Sequence, residues 1–167
     1  MHSELNLPCP YRVFRIQETN SLAHYEFTTV NDVIYYIHFD TCNFLPEVIS
    51  EDNLFLFSFG PKSESYYPDE DVKLTLIEVI KFFFEERENV LLFTCDSSDG
   101  KAESRQRLFG KWHSTYSESI GTNKIDTVIS EPDTDNKYLC SLIIRNDHPQ
   151  INECIEAFEA LESYFKS

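Results

Sequence analysis

Between Asp96 and His113 the chain gathers the side chains best suited to polar chemistry. Asp96 and Asp99 could accept protons, Arg105 and Arg107 could grip an anion, Lys111 adds positive charge, and His113 titrates near neutrality. The same stretch holds the only tryptophan, Trp112, and two of the four glycines, Gly100 and Gly110. Its spacing predicts a helix from about Lys101 to Tyr116. Set out at about 100° per residue, Ala102, Leu108, Phe109, Trp112 and Tyr116 fall on one side, with Arg105 near the middle of it. A guanidinium on an apolar face needs a carboxylate, because burying it unpaired is prohibitively costly. Asp96 and Asp99 are the nearest by sequence, although Asp99 can instead cap the helix. Two readings stand side by side. Arg105 and an aspartate form a buried latch between strand and helix, or Asp96, Asp99, Arg105, Arg107 and His113 line a pocket that binds an anion or supports acid-base chemistry.

No stronger catalytic pattern competes. The sequence lacks a phosphate-binding Gly-x-x-x-x-Gly-Lys-Ser/Thr loop, a His-Glu-x-x-His helix, a Gly-x-Ser-x-Gly elbow and a Gly-x-Gly-x-x-Gly turn. A Cys95–His113 dyad is conceivable, yet a cysteine closing an apolar strand is usually buried and inert. His38 and Asp40, two apart on a strand, read as solvated sheet surface. Tyr66 and Tyr67 form a candidate interaction loop, since tyrosines are favoured at interfaces.

The elements that position these groups follow from periodicity. Strands are expected at Tyr11–Ile16, His24–Val30, Val33–Asp40 and Leu54–Phe59, with Asn31-Asp32 turning the second into the third. Acidic residues Asp69-Glu70-Asp71 open a helix that should run to about Glu88. Val90–Cys95 is a continuous apolar run, the mark of a strand buried on both faces, and it leads directly into the polar stretch. A flexible link over Ser117–Asn123 precedes a second hairpin, Ile125–Ile129 and Tyr138–Arg145. Asp147-His148-Pro149-Gln150 carries helix-start signals with a capping-box spacing, and Ile151, Cys154, Ile155, Phe158, Leu161 and Phe165 recur at helical intervals. The order ββββαβαββα defines a single α+β domain over residues 11–167, with a largely antiparallel sheet of about seven strands and three helices. Residues 1–10 form a loose lead-in.

Composition narrows the functional classes. The 167 residues carry 29 acidic and 14 basic side chains, a formal net charge of −15, which opposes nonspecific nucleic-acid binding and attachment to anionic membranes. A field of that sign either serves solubility or steers a basic partner toward the protein. Five cysteines, without a Cys-x-x-Cys pair, fit neither a metal site nor a complete disulfide framework and point to a reducing, cytoplasmic setting. No metal or cofactor pattern is present in the sequence.

One resemblance adds to this. The run Val90–Gly100, with Cys95-Asp96-x-x-Asp99-Gly100, followed by Arg105-x-Arg107-x-Phe109-x-x-Trp112, resembles the hallmark segment of a Bacteroidetes family known only as a domain of unknown function. Tyr25, Tyr35, the aromatic fourth strand and the Asp71–Phe84 helix also fit it, so the resemblance spans about Tyr11 to Tyr116. It implies a compact bacterial cytosolic protein and supplies no activity or catalytic assignment. The functional expectation is therefore a non-enzymatic acidic module that binds a basic protein, in the manner of an inhibitor, immunity protein or antitoxin. The alternative is a small hydrolase or nuclease using the Asp96–His113 cluster.

Overall fold

Strand-length runs of aromatic and β-branched residues suit a pleated surface covered on one or both sides, and they organise most of this chain into one sheet. The computed structural model describes residues 2–19, 21–42, 53–63, 69–96, 102–130, 133, 135 and 137–166. β1 (Ser3–Leu5), β2 (Val13–Glu18), β3 (Leu22–Thr28), β4 (Ile34–Thr41) and β5 (Leu54–Pro61) form an antiparallel meander. α1 (Glu70–Phe83) then crosses to β6 (Val90–Asp96), which pairs parallel with β5. After α2 (Ala102–Ile120), β7 (Thr122–Ser130) and β8 (Lys137–Arg145) make a hairpin whose second strand inserts beside β6. α3 (Ile151–Lys166) follows. The sheet order is β1-β2-β3-β4-β5-β6-β8-β7.

The architecture is thus the expected single α+β domain with three helices, and its sheet has eight strands rather than about seven. The additional strand is β1, within the stretch read as a lead-in, where Ser3 and Leu5 pair with Arg15 and Val13 of β2.

Residues alternate faces along each strand. Tyr25, Phe27, Tyr35, Ile37, Phe39, Phe57, Leu91, Phe93 and Ile143 share the face that receives Val72, Leu76, Val79, Ile80 and Phe83 of α1 and Phe109 of α2. On the opposite face Leu54, Val90, Leu92, Cys140, Leu142 and Ile144 pack with Cys154 and Phe158 of α3. α3 lies over β7 and β8. The part of its face formed by β2–β5 carries no described helix.

Helix ends differ from the periodic expectation for local reasons. Asp69 caps α1, its side chain accepting from the Asp71 backbone N–H at 2.8 Å and from the Tyr11 hydroxyl. α1 ends at Phe83 rather than near Glu88, because Glu85, Glu86 and Glu88 would load negative charge onto the negative end of the helix dipole. Asn89 instead donates its side-chain amide to the Phe83 carbonyl at 3.0 Å. α2 runs on to Ile120, past Tyr116, through the residues expected as a flexible link. Gly121 stops it with φ 72°, the left-handed conformation that favours glycine. At the start of α3, Asp147 turns away from the expected capping box to form a two-point ion pair with Arg145. His148 fixes the turn before the helix, its Nδ1 accepting from the Gln150 N–H at 3.0 Å. Among the described residues, no helix is long and apolar enough to cross a membrane.

Candidate functional site

β6 carries the chain to Asp96, whose backbone pairs with Tyr138, and α2 carries Arg105, Arg107, Lys111 and His113. Asp99 lies outside the described residues, as do the side chains of Asp96 and Arg105 and the whole of Tyr66 and Tyr67. The apolar stripe of α2 docks as its spacing implies: Phe109 stacks on Phe93 with ring centroids 4.5 Å apart, and Trp112 meets Phe59 at 5.9 Å. Leu108, placed on that stripe by periodicity, is instead half-exposed. Arg107 and Lys111, four residues apart, share an exposed side of the helix.

His113 turns toward the sheet. Its Nε2 lies 2.9 Å from the Thr122 hydroxyl, at the start of β7. Burial pushes its pKa below the usual imidazole range, Lys124 acts in the same direction, and Asp126 opposes them. The space beside it, bounded by Ile77, Phe109, Trp112 and Ile143 among others, measures about 10 Å³. That is room for about one water at most.

Next to His113 lies a polar seam that periodicity alone does not reveal. Lys124 of β7 reaches beneath α2 at Gly110, where a Cβ would stand 3.5 Å from its Nζ. Its side chain is 9% exposed and pairs with Asp126, which also accepts from the fully buried Ser141 hydroxyl at 2.6 Å. The seam joins α2, β7 and β8 into one block.

The helix-free face of β2–β5 carries a second cluster. His24 and His38 face each other across β3 and β4 with ring centroids 4.3 Å apart. Glu26 lies two residues along β3, its carboxylate 3.2 Å from His24 Nε2 but without the alignment of a hydrogen bond, and it pairs with Lys62. Tyr36 lies over Gly60, where a Cβ would come within 3.3 Å of the tyrosine hydroxyl. His38 and Asp40 do share this face with Tyr36, as alternation requires. His24, Glu26 and Lys62 join them through cross-strand register, which the sequence does not display. Among the described residues, no three His, Cys, Asp or Glu side chains are arranged to hold a metal ion.

Burial lowers the His24 pKa, with His38 and Lys62 acting in the same direction and Glu26 opposing. For His24 and His113 alike, the unfolded chain therefore binds protons more readily than the native protein. Their contribution to stability is fully present above the unfolded histidine pKa of about 6.5 and is lost as pH falls through it toward the lowered native values. Urea midpoints are expected to be level above neutrality and to decline as pH falls below the unfolded histidine pKa of about 6.5. A His24→Asn/His113→Asn double variant should flatten that limb, and an unchanged limb would refute the assignment. The lowered carboxylates Glu4 and Asp147 act only at still lower pH, where protonation removes their pairing with Arg12 and Arg145.

A true concavity occurs elsewhere. Past the C-terminal end of α1, a cleft of about 390 Å³ is floored by Tyr25, Phe39, Phe55, Phe82 and Phe83 and rimmed by Glu18, Glu85, Glu86, Thr19 and Asn89. Its floor is built in layers: Phe39 stacks on Phe83 at 4.4 Å, and Phe55 meets Phe83 edge-on at 5.2 Å. Tyr25, Phe39 and Phe83 are buried, whereas Phe55 and Phe82 are partly buried. Arg15 engages Glu18 at 2.7 Å. Burial raises the Tyr25 pKa, Glu18 adds to the rise, and Arg15 opposes it through its charge and a hydrogen bond to the phenol. Glu85 and Glu86 are exposed and belong to no ion pair among the described residues. These two carboxylates read as a solvated helix end in sequence. They become a rim only because α1 stops short and the turn lays them beside β3–β5.

A mixed eight-stranded sheet, with two helices on one face and one on the other, defines an α+β protein that carries this acidic, aromatic-floored cleft. Residues 68–160, more than half of the chain, match the model of a Family of unknown function (DUF6169), and the chain belongs to that family. The matched range includes the Asp96–His113 stretch and the cleft residues Phe82, Phe83, Glu85 and Glu86. No curated protein and no solved structure matches the chain.

Proposed function

We propose that the protein is a non-enzymatic acidic module that binds a basic protein, as an inhibitor, immunity protein or antitoxin does, in a reducing cytoplasm. The observation that carries this reading is the cleft, where apolar aromatic area and two carboxylates with no ion pair among the described residues share one concavity of ligand-binding size. A net charge of −15 would raise the rate of encounter with a basic partner and reject acidic ones. Cys9 and Cys154 are free thiols, consistent with the compartment proposed. The enzymatic alternative at Asp96–His113 has no comparable cleft among the described residues, where the space beside His113 is small and mostly apolar.

Affinity capture with the tagged full chain from its source cell tests the proposal. The expected result is a stoichiometric basic protein that dissociates as salt is raised and is lost with Glu85→Lys/Glu86→Lys. Absence of any such partner at low salt, or retention by the charge-reversed variant, would count against it.

A further inference from the structure

Concave sites that hold organic cations combine exposed aromatic faces with a carboxylate counter-charge, because the ring quadrupole and the anion attract the same ligand. The cleft beyond α1 has both. Phe55 and Phe82 are its partly buried rings, with Phe55 edge-on to buried Phe83 and Phe83 stacked on Phe39, and Glu85 and Glu86 stand at its rim. The other wall already contains a guanidinium. Arg15 pairs with Glu18 at 2.7 Å, so the carboxylate on that side has a counter-charge from within the chain. The rim at Glu85 and Glu86 has no internal cation among the described residues.

From this asymmetry we infer that the cleft is a recognition pocket for an arginine side chain, which on the reading above the basic partner supplies. Phe55 and Phe82 receive the flat face of the guanidinium, and Glu85 and Glu86 receive its N–H groups. Arginine fits better than lysine on two physical counts. Its planar, weakly hydrated cation stacks on aromatic rings with little desolvation, and its fork of donors matches carboxylates two at a time. An ammonium is a compact, strongly hydrated charge that gives up more solvation on entering an aromatic cleft. A neutral apolar guest would desolvate the two carboxylates without replacing their partners.

The test uses three small probes, N-acetyl-arginine amide, N-acetyl-lysine amide and N-acetyl-citrulline amide, titrated into the intact protein while the aromatic NMR signals of Phe55 and Phe82 are followed. The arginine probe is expected to shift both rings saturably, and the lysine probe to bind about tenfold more weakly. Citrulline, nearly the same shape without the charge, should not saturate. Glu85→Gln/Glu86→Gln should weaken arginine binding by about tenfold while the melting temperature stays within a few degrees. Equal binding of arginine and citrulline, absence of any ring shift, or indifference to the paired substitution would overturn the assignment. Saturable arginine binding without a captured basic protein keeps the pocket and removes the protein-binding proposal. A basic protein captured through Glu85 and Glu86, with no ring shift from the arginine probe, removes the pocket and keeps that proposal.

Discussion

Phe57→Ala should lower the unfolding free energy by about 3–5 kcal/mol, read as a shift of the urea midpoint with an unchanged slope. Phe57 is 2% exposed and sits on β5, the strand where the antiparallel meander gives way to the parallel pairing with β6. Its ring lies 5.3 Å from Phe39, 5.5 Å from Phe59 and 6.1 Å from both Phe93 and Phe109. It therefore touches β4, β6 and α2 at once, and truncation removes transfer energy together with four ring contacts. The cost approaches the upper part of the range when the walls of a cavity cannot collapse. Here the walls are three hydrogen-bonded strands and a helix fixed at its far end by His113 and Lys124. A loss below about 1.5 kcal/mol would mean that α2 follows the void inward, and the rigid account of the core would be wrong.

The second large effect concerns charge. Asp126→Ala is expected to cost about 2–3 kcal/mol, somewhat below the usual loss for stranding a buried ion, because the Asp126 side chain is 52% exposed and partly screened by solvent. Two groups lose their acceptor together. The Lys124 ammonium remains 9% exposed under α2, and the buried Ser141 hydroxyl has nowhere described to donate. Lys124→Met alone should cost much less, since Asp126 keeps Ser141 and faces water. In the Lys124→Met background the Asp126→Ala penalty should fall by more than half, leaving mainly the hydroxyl. Chemical denaturation of the four proteins in that cycle measures the coupling. Additive losses would show that Lys124 reaches solvent instead of depending on Asp126.

These two sites also mark how far sequence reasoning extends. The aromatic alternation of β3, β4 and β5 and the apolar run of β6 specify strands because period and composition agree, and Phe57 follows as core. The docking of Phe109 and Trp112 follows from the 3.6-residue period, whereas Leu108, expected on the same stripe, is exposed because α2 meets the sheet along a narrower line. Lys124, Asp126 and Ser141 were illegible. Each is an ordinary polar residue on a strand, and only the register of β7 with β8 and the position of Gly110 above them turn them into a buried set. The cleft was illegible for a similar reason. Its floor comes from β3, β4, β5 and α1, and its rim depends on where α1 ends, a property of the last turn that a helical period does not encode. The open-face pair His24 and His38 lie fourteen positions apart and meet only across a hairpin.

The insertion of β8 between β6 and β7 has a consequence for how the protein is made. During synthesis the meander β1–β5 can pair neighbour with neighbour as it leaves the ribosome, and α1 can swing β6 onto its edge. The other edge of β6, along Val90–Asp96, is closed only by residues 137–145, after α2 and β7 have also emerged. For that interval the nascent chain presents an unpaired, strongly apolar strand to its surroundings, the kind of edge that templates aggregation. Low temperature, slow translation or limited chaperone capacity would thus bear on this protein through the timing of one strand more than through the stability of the finished fold.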